Sequence, residues 1–292
     1  IIQDDNSNSV FIKLTKSSGS ASNAITITIE NVILESFIYG PVISVVGVEN
    51  LIVNNSIIRD SAGAIGFATT NGNLTIQDTV LDNNSGGTTG GAVYIELQTN
   101  IAIDGVVFSN NNAYTGGGLG VENDCSNGTI QNSIFIGNTA IDSGAGVKFG
   151  DNNNGLVLYN TSFINNYLTD SDSAGGAAVY MGENNEYLDI SHCTFEGNRG
   201  YADSGSGGAI YLNNHCKYYS IDNSVFTNNT ANEGGAFYSV FGSHGGRVTN
   251  SIFEGNTGTS IGGVFVFISA AAKDILIYNC VFSNNTGGGW GK

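Results

Sequence analysis

The sequence predicts an all-β fold, a parallel β-solenoid of about ten coils with three short strands in each coil. One unit recurs along the chain every 23 to 32 residues, and a period in the twenties is typical of a solenoid. Within the units apolar residues alternate with period two, as in Ile101-x-Ile103, which indicates strands rather than helices. One apolar position of the unit, named the Phe slot, falls at Leu34, Ile58, Leu81, Phe108, Phe135, Phe163, Phe195, Phe226, Phe253 and Phe282.

The composition is typical of one continuous extracellular body. The 292 residues include 42 Gly and 1 Pro, and 40% of them are apolar, which is too many for a disordered chain. A net charge of −16 makes nucleic acid and anionic membrane surfaces poor partners because of repulsion. No apolar stretch approaches the roughly 20 residues of a membrane span. Few lysines and many Asn, Ser, Thr and Gly residues favour an extracellular or cell-surface location.

A single unit shows how one coil is built. Residues 91–96 are its predicted first strand, residues 101–103 the second and residues 106–108 the third. The bend between the second and third strands falls mostly on Asn, Asp or Gly, which tolerate a left-handed backbone, and stacked Asn side chains there can hydrogen-bond along the axis. The bend positions are Asn31, Asn55, Asp78, Gly105, Asn132, Asn160, His192, Asn223, Asn250 and Asn279.

A second polar ladder is predicted three residues after the Phe slot. Asn occupies this position in eight successive units, with Ser61 in the unit before them. These residues are Asn84, Asn111, Asn138, Asn166, Asn198, Asn229, Asn256 and Asn285. The phenylalanines are predicted to stack beside this ladder and to bury apolar surface worth about 1.5–3 kcal/mol per ring.

The ends and the loops differ from the regular coils. Residues 1–24 are a predicted lead-in with one strand-like run, and residues 25–292 form the predicted solenoid. Unit length varies most in residues 167–174 and 199–206, which are expected to bulge as loops from neighbouring coils and are a usual place for a binding site. Residues 287–290 fall in the middle of a repeat unit. The unpaired strand edges of this last coil are expected to pair with a strand from another coil.

The four cysteines do not predict a disulfide framework. Cys193 and Cys280 occupy the same slot three units apart, as do Cys125 and Cys216. With coils about 4.8 Å apart, such partners lie roughly 14 Å from each other, beyond the ~7 Å limit for a bridge. Cys193 and Cys280 are expected to be small buried thiols.

Two short motifs alternate in register. Phe-x-x-Asn stands at all seven phenylalanines of the Phe slot, and Gly-Gly-Ala with a following apolar residue stands at residues 90–93, 175–178 and 207–210, with looser forms at 234–237 and 262–265. This alternation resembles the polymorphic outer-membrane protein repeat family over roughly residues 80–289. The resemblance implies a right-handed parallel β-helix that serves as a surface passenger or adhesin.

Catalysis is weighed as an alternative, because parallel β-helices also include polysaccharide lyases and hydrolases. Such enzymes need carboxylates for Ca²⁺, or carboxyl pairs about 5–10 Å apart. The best candidates are Asp170, Asp172, Glu183, Glu186, Asp189 and Arg199, but the 25 acidic residues of the chain make such a group unremarkable. A non-catalytic chain without cofactor or metal is therefore preferred. Residues 151–155 are a candidate Ca²⁺ loop but lack its terminal Glu, so a solvated turn is the favoured interpretation.

Aromatic residues recur on the strand after the Gly-Gly pair. Alternation places Tyr94, Tyr180, Tyr211, Tyr238 and Phe265 on the outward side, interrupted by Gly120 and Lys148. This row, named the Tyr stripe, is predicted either to bind a glycan or protein partner or to stabilise the sheet by same-face stacking.

The sequence thus favours a non-catalytic extracellular solenoid that is adhesive or forms filaments by end-to-end stacking. The alternatives are a polysaccharide-degrading enzyme and a glycan-binding module that uses the Tyr stripe. Expected partners are further copies of the chain, end to end or lateral, or a host or cell-surface protein or glycan. Seven Asn-x-Ser/Thr sequons permit glycosylation, at Asn54, Asn73, Asn83, Asn127, Asn160, Asn228 and Asn284.

Overall fold

The strands of this chain are short because residues with a left-handed backbone end them. All ten predicted bend positions have a positive φ, between 44° and 66°. Asn, Asp and Gly reach this conformation at low cost, and His192 adopts it as well with a φ of 56°. The predicted bend between the second and third strands is confirmed in every coil.

The computed structural model describes residues 2–3, 12–15, 25–96, 100–170, 175–201, 204–268 and 273–289. Within these residues the fold is all-β, a parallel solenoid of about nine turns with three strands per coil, which confirms the predicted fold class. Three long parallel sheets run along the solenoid, and two short sheets lie at one corner.

Sheet 1 follows the Gly-Gly pairs and contains Ile12–Thr15, Ile43–Val46, Ile65–Ala68, Val93–Glu96, Leu119–Val121, Val147–Phe149, Val179–Met181, Ile210–Leu212, Phe237–Ser239 and Phe265–Phe267. Sheet 2 precedes the bend and contains Thr26–Glu30, Asn50–Asn54, Asn73–Gln77, Asn100–Asp104, Thr129–Gln131, Val157–Tyr159, Asp189–Ser191, Ser220–Asp222, Arg247–Thr249 and Leu276–Tyr278.

Sheet 3 holds the Phe slot and contains Ile2–Gln3, Ile33–Glu35, Ile57–Arg59, Val80–Asp82, Val107–Ser109, Ile134–Ile136, Ser162–Ile164, Thr194–Glu196, Val225–Thr227, Ile252–Glu254 and Val281–Ser283. The corner sheets connect sheet 3 to sheet 1 and contain Asn112–Thr115, Thr139–Ser143 and Tyr167–Leu168, and Thr230–Glu233, Thr257–Ile261 and Thr286–Gly287.

The Phe slot forms a continuous ring stack in the core. Its residues pair directly from coil to coil, as Phe108 does with Phe135 and Phe135 with Phe163. Successive rings lie 4.3–5.2 Å apart with interplanar angles of 3–11°. All the rings are fully buried except Phe282 in the last described coil, which is 48% exposed. Each stacked pair adds about 0.5–1.5 kcal/mol to the burial of its rings.

The asparagines three residues after the Phe slot form a ladder that is buried from Asn84 to Asn256. In these seven residues each Nδ2 donates to the Oδ1 of the Asn in the following coil at 2.9–3.1 Å. The same Nδ2 donates to the Phe-slot carbonyl of the preceding coil at 2.8–3.0 Å. Each backbone N–H also donates to the Oδ1 of the following coil. The predicted ladder is confirmed from Asn84 to Asn285.

The ladder begins at Asn84, where its pattern is incomplete. The preceding coil has Ser61 in the slot, and the Ser61 hydroxyl donates to the backbone carbonyl of Arg59. The Oδ1 of Asn84 is buried and has no hydrogen-bond partner among the described residues. The first coils therefore lack the Asn–Asn hydrogen bonds that align the later coils with one another.

The Gly-Gly pair returns the chain from the corner to sheet 1. Gly207 has a φ of 67°, and a Cβ on Gly208 would overlap the carbonyl oxygen of Gly235 in the following coil. Ala209, which follows, is fully buried. The motif is required by backbone conformation and by close approach of neighbouring coils.

A third buried amide position, which the sequence analysis did not identify, lies in the turn from sheet 1 to sheet 2. The backbone N–H of Asn153 donates to Oδ1 of Asn185 at 2.7 Å, and Asn185 Nδ2 donates to the carbonyl of Gly182 at 2.7 Å. Cys125 and Cys216 occupy the same slot in the coils before and after these two.

All four cysteines are thiols. Cys193 is buried as predicted, whereas Cys280 is only half-buried. Burial raises the pKa of the Cys193 thiol and of the Cys216 thiol to about 12, so both stay protonated near neutral pH.

Two segments of the predicted lead-in pair with the solenoid. Ile2–Gln3 is parallel to Ile33–Glu35 in sheet 3, and Ile12–Thr15 is parallel to Ile43–Val46 in sheet 1. The domain boundary at residue 24 stays a prediction.

The Asn ladder predicts a large stability loss at one position. Asn198→Ala is expected to lower the free energy of unfolding by about 3 kcal/mol, because it leaves the Asn166 N–H buried without its partner and removes the bonds from Asn198 Nδ2 to the Phe163 carbonyl and to Asn229 Oδ1. Urea unfolding measures the loss. The matched control is Asn112→Ala, since Asn112 is exposed and its side chain donates to Thr139; its effect is expected within about 0.5 kcal/mol. Similar losses in both variants would contradict the role assigned to the ladder.

Candidate functional site

The outward row of sheet 1 runs in register through seven coils. Tyr94 pairs with Gly120, Gly120 with Lys148, and Lys148 with Tyr180. The row continues with Tyr211, Tyr238 and then Val266. Four of the five predicted stripe residues therefore share one row.

Phe265 does not belong to the Tyr stripe, so this part of the prediction is corrected. Phe265 pairs with the core residue Phe237 rather than with Tyr238. The reason is that Val264 takes the place that Ala236 has after the other Gly-Gly pair, and alternation then directs Phe265 inward. Its ring packs against Phe253 at 4.9 Å.

Three of the four stripe tyrosines, Tyr180, Tyr211 and Tyr238, stack on one another. The centroid distance is 5.3 Å for Tyr180–Tyr211 and 5.2 Å for Tyr211–Tyr238, with interplanar angles of 11° and 15°. Tyr238 is only 7% exposed, and burial raises the pKa of Tyr94 and of Tyr211 to about 12. Asn213 Nδ2 donates to the Tyr180 hydroxyl at 3.1 Å. Between Tyr180 and Tyr238 the stripe offers ring edges to a ligand, which favours the interpretation that it stabilises the sheet.

The candidate catalytic carboxylates do not meet in one place. Asp170 and Arg199 lie on the connection from sheet 3 to sheet 1, and Glu183 and Glu186 lie in the turn from sheet 1 to sheet 2. Asp189 begins a strand of sheet 2. Glu186 forms an ion pair with Lys217 at 3.2 Å, and Glu183 accepts a hydrogen bond from Asn214. The expected cluster near the two long loops is therefore wrong for the described members; Asp172 lies outside the described residues.

The candidate Ca²⁺ loop at residues 151–155 uses its side chains for the fold. Asn153 Nδ2 donates to the Gly150 carbonyl, and Asn153 Oδ1 accepts from the backbone N–H of Cys125. Asp151 Oδ1 accepts from the N–H of Glu183. In the part of the chain that the structure describes, no group of three His, Cys, Asp or Glu residues could hold a metal ion.

The predicted surface features have defined positions. Six sequon asparagines are exposed, and Asn54 is half-buried. The two long corner segments, residues 167–174 and 199–206, lie partly outside the described residues. Their binding role and the glycosylation of the sequons stay predictions.

Two exposed tyrosines that the sequence analysis missed lie in the turn from sheet 1 to sheet 2. Tyr187 and Tyr218 are 58% and 46% exposed, and their rings stack at 5.2 Å. Both have a left-handed backbone, with φ of 59° and 54°. The signal was present in the repeat, because the same turn position is Asn127, Gly155 and Gly245 in other coils.

Two segments of the chain match a known repeat. Residues 192–213 and 223–240 match the Chlamydia polymorphic membrane protein (Chlamydia_PMP) repeat. Each segment contains Phe-x-x-Asn and a following Gly-Gly-Ala. The resemblance predicted from the motifs is confirmed in these segments. No curated protein and no solved structure matches the chain.

The repeat match and the β-solenoid fold fit a surface structural or adhesin-like role and, coarsely, a cell-surface location. Over its described residues the structure has no helix with the length and apolar character needed to cross a bilayer.

The packing interpretation of the Tyr stripe predicts a stability effect. Tyr211→Ala is expected to lower the free energy of unfolding by about 2 kcal/mol, because the half-buried ring stacks on both neighbouring tyrosines. The control is Tyr114→Ala, since Tyr114 is 51% exposed on a corner strand. Urea unfolding compares the two variants. An unchanged urea midpoint for Tyr211→Ala would contradict the packing interpretation and favour a binding role for the stripe.

Proposed function

We propose that this chain is a non-catalytic extracellular structural solenoid that acts as an adhesive rod on a cell surface. The observation that supports the proposal best is the unbroken pairing of buried Asn and Phe slots through successive coils. The recurring slots of the repeat are therefore occupied by side chains that hold neighbouring coils together. Partner binding is assigned to the outer residues, which differ from coil to coil.

The geometry suits the display of binding residues away from a surface. Nine turns spaced by about 4.8 Å give a rod roughly 43 Å long. The rod has one continuous main core, in which buried residues of all three sheets form one cluster. Its net charge of −16 favours neutral or basic partners over anionic ones.

The polysaccharide-degrading alternative is less well supported by the described residues. Hydrolysis of a glycosidic bond needs two carboxyl groups that flank the bond. The candidate carboxylates occupy different corners of the coil, and Glu186 is paired with Lys217.

The adhesive role predicts attachment to cells. Beads coated with the purified chain are expected to attach to cultured animal cells in greater number than albumin-coated beads, and soluble chain is expected to compete. Counting attached beads by microscopy measures the effect. Beads with Asn198→Ala, assayed where that variant is unfolded, carry the same outer residues without the fold and are expected to lose attachment.

Equal attachment of chain-coated and albumin-coated beads to every cell type would argue against adhesion. Release of reducing ends from a polysaccharide, lost in Asp189→Asn, would instead favour the enzyme.

End-to-end stacking is a second candidate function, supported by the Phe and Asn slots, whose pairing from coil to coil could also join a coil of a second copy. Phe282 stacks on Phe253 with one face and is 48% exposed. Asn285 Nδ2 donates to the Phe253 carbonyl at 2.8 Å, and in earlier coils the same atom also donates to the next Asn. A following coil, in the same chain or in a second copy, would continue both ladders.

Stacking between copies predicts concentration-dependent association. Sedimentation at rising concentration is expected to show growing species, and Phe282→Asp is expected to reduce them because a charge then stands in the ring stack. Tyr278→Asp is the control, since Tyr278 is 67% exposed and lies on the outer row of sheet 2. Monomers at every concentration would contradict this candidate.

A further inference from the structure

Three consecutive coils place aromatic side chains side by side in the turn from sheet 1 to sheet 2. Tyr187 and Tyr218 stack with an interplanar angle of 19°, and His244 meets the Tyr218 ring edge-on at 5.6 Å. These residues are named the turn aromatics. Core burial does not account for the tyrosines, because about half of each side chain is exposed.

Both tyrosines occupy a backbone conformation that disfavours them. Their turn position has a φ between 54° and 69° in six coils, and its other occupants are Asn127, Gly155, Gly245 and Asp274. Asn, Asp and Gly adopt the left-handed conformation readily, whereas Tyr with its Cβ and ring does so at a cost. Strain of this kind at exposed side chains points to a role outside the fold.

The stack has one covered end and one open end. A Cβ on Gly245 would lie 2.8 Å from Tyr218 Cδ1, so the Tyr218 ring rests against the backbone of the following coil. In the preceding coil the turn position is Gly155, which has no side chain to cover Tyr187. Among the described residues, one face of the Tyr187 ring stacks on Tyr218. The other face of the ring is directed toward Gly155 and has no described ring stacked on it.

A polar groove begins two residues further along the same coils. Asp189, Ser220 and Arg247 pair in register on the outer face of sheet 2, and Asp222 pairs with Ser191 beside them. These residues line a depression of about 470 Å³. Tyr187 and Asp189 are both exposed, with buried Leu188 between them. Tyr187 and Tyr218 each lie two residues before a residue that lines the groove, Asp189 and Ser220 respectively.

The groove presents fixed hydrogen-bond acceptors and donors. Thr249 Oγ1 and Asn250 Nδ2 donate to Asp222 Oδ1 at 2.6 and 2.7 Å. The bond from Thr249 contributes most to holding the pKa of the Asp222 carboxyl below its usual value, so Asp222 stays charged. Arg247 adds guanidinium donors opposite these acceptors.

We propose that the turn aromatics and this groove bind a neutral oligosaccharide, with one sugar ring on the open face of Tyr187 and the hydroxyls of further sugar rings along the chain on Asp189, Asp222 and Arg247. The apolar C–H face of a sugar suits an aromatic face, and its hydroxyls suit fixed carboxylates and a guanidinium. The inference rests on the proposed adhesive function and names the class of its partner.

The charges favour a neutral sugar over a sulfated or uronic acid chain. Asp189 and Asp222 lie in the groove with the single cation Arg247 among its lining residues, and in the adjacent turns Glu186 is paired with Lys217. An anionic sugar would meet repulsion from these carboxylates and from the net charge of −16. The site also differs from the centre of the Tyr stripe, where Tyr180 and Tyr238 cover the two faces of the Tyr211 ring.

The test measures sugar binding to the whole chain by titration calorimetry and by saturation-transfer NMR. The probes are the neutral hexasaccharides of β-1,4-glucose, β-1,3-glucose, α-1,4-glucose and β-1,4-N-acetylglucosamine, with a heparin hexasaccharide as the charged member. At least one neutral probe is expected to bind with a dissociation constant of about 1 mM or tighter, and Tyr187→Asn is expected to weaken it at least about tenfold.

Tyr187→Asn separates binding from folding, because Asn already occupies this turn position at Asn127. Its melting temperature is expected to equal or exceed that of the parent chain. Tyr114→Asn is the matched control, an exposed tyrosine on a corner strand, and is expected to bind like the parent.

Three results would overturn the inference: no neutral probe binds, heparin alone binds, or Tyr187→Asn binds as well as the parent. Bead attachment distinguishes the site from the function. If Tyr187→Asn beads still attach to cells, the adhesive role stands and the sugar site falls. If they lose attachment while no sugar binds, the tyrosines contact a protein partner and the sugar inference is again overturned.

Discussion

The need to satisfy one buried amide in every coil from Asn84 onward is the constraint on which most of the structure depends. Asn138, for example, accepts two hydrogen bonds at Oδ1 and donates two from Nδ2, all to neighbouring coils. A shift of one residue between two coils would leave these groups buried and unpaired, at about 1–3 kcal/mol for each. The strand register, the Phe stack and the direction of each outer side chain follow from this fixed alignment.

Much of this inner structure could be predicted from the sequence, because a solenoid gives equivalent residues the same surroundings. An Asn that must meet another Asn recurs in its slot, and so does a Phe that must stack on another Phe. His192 illustrates the strength of the pattern, since it occupies a bend position that is Asn, Asp or Gly in the other coils and has the same left-handed backbone. The short motifs also identified the repeat that residues 192–213 and 223–240 match.

The outer residues could be predicted less well, since no neighbouring copy constrains them. The place of Phe265 depended on one substitution, Val264 in the position of Ala236, and an error of one residue reverses the side of a strand residue. The dispersal of the acidic residues could not be predicted, because residues close in sequence lie on different corners of a coil. The turn tyrosines were missed because the turn that holds them varies in sequence from coil to coil.

The same residue type has different uses on this surface because its ring faces differ in availability. In the Tyr stripe the Tyr211 ring lies between the rings of Tyr180 and Tyr238, and its burial contributes to the stability of the sheet. In the turn, Tyr218 rests on the backbone near Gly245, and Tyr187 ends the stack. Whether a tyrosine packs in the fold or is available to bind a ligand therefore depends on whether one face of its ring is exposed, and not on how many tyrosines lie side by side.

The buried Asn ladder also has a direction, with consequences for symmetry. From Asn84 to Asn256 every ladder Nδ2 donates toward the coil that follows, and every Oδ1 from Asn111 onward accepts from the coil that precedes it. Two coils related by a twofold axis across the ladder would set donors against donors or acceptors against acceptors. Coils can therefore join only head to tail, so contacts made through the ladder are heterologous and extend along the axis instead of closing into a symmetric pair.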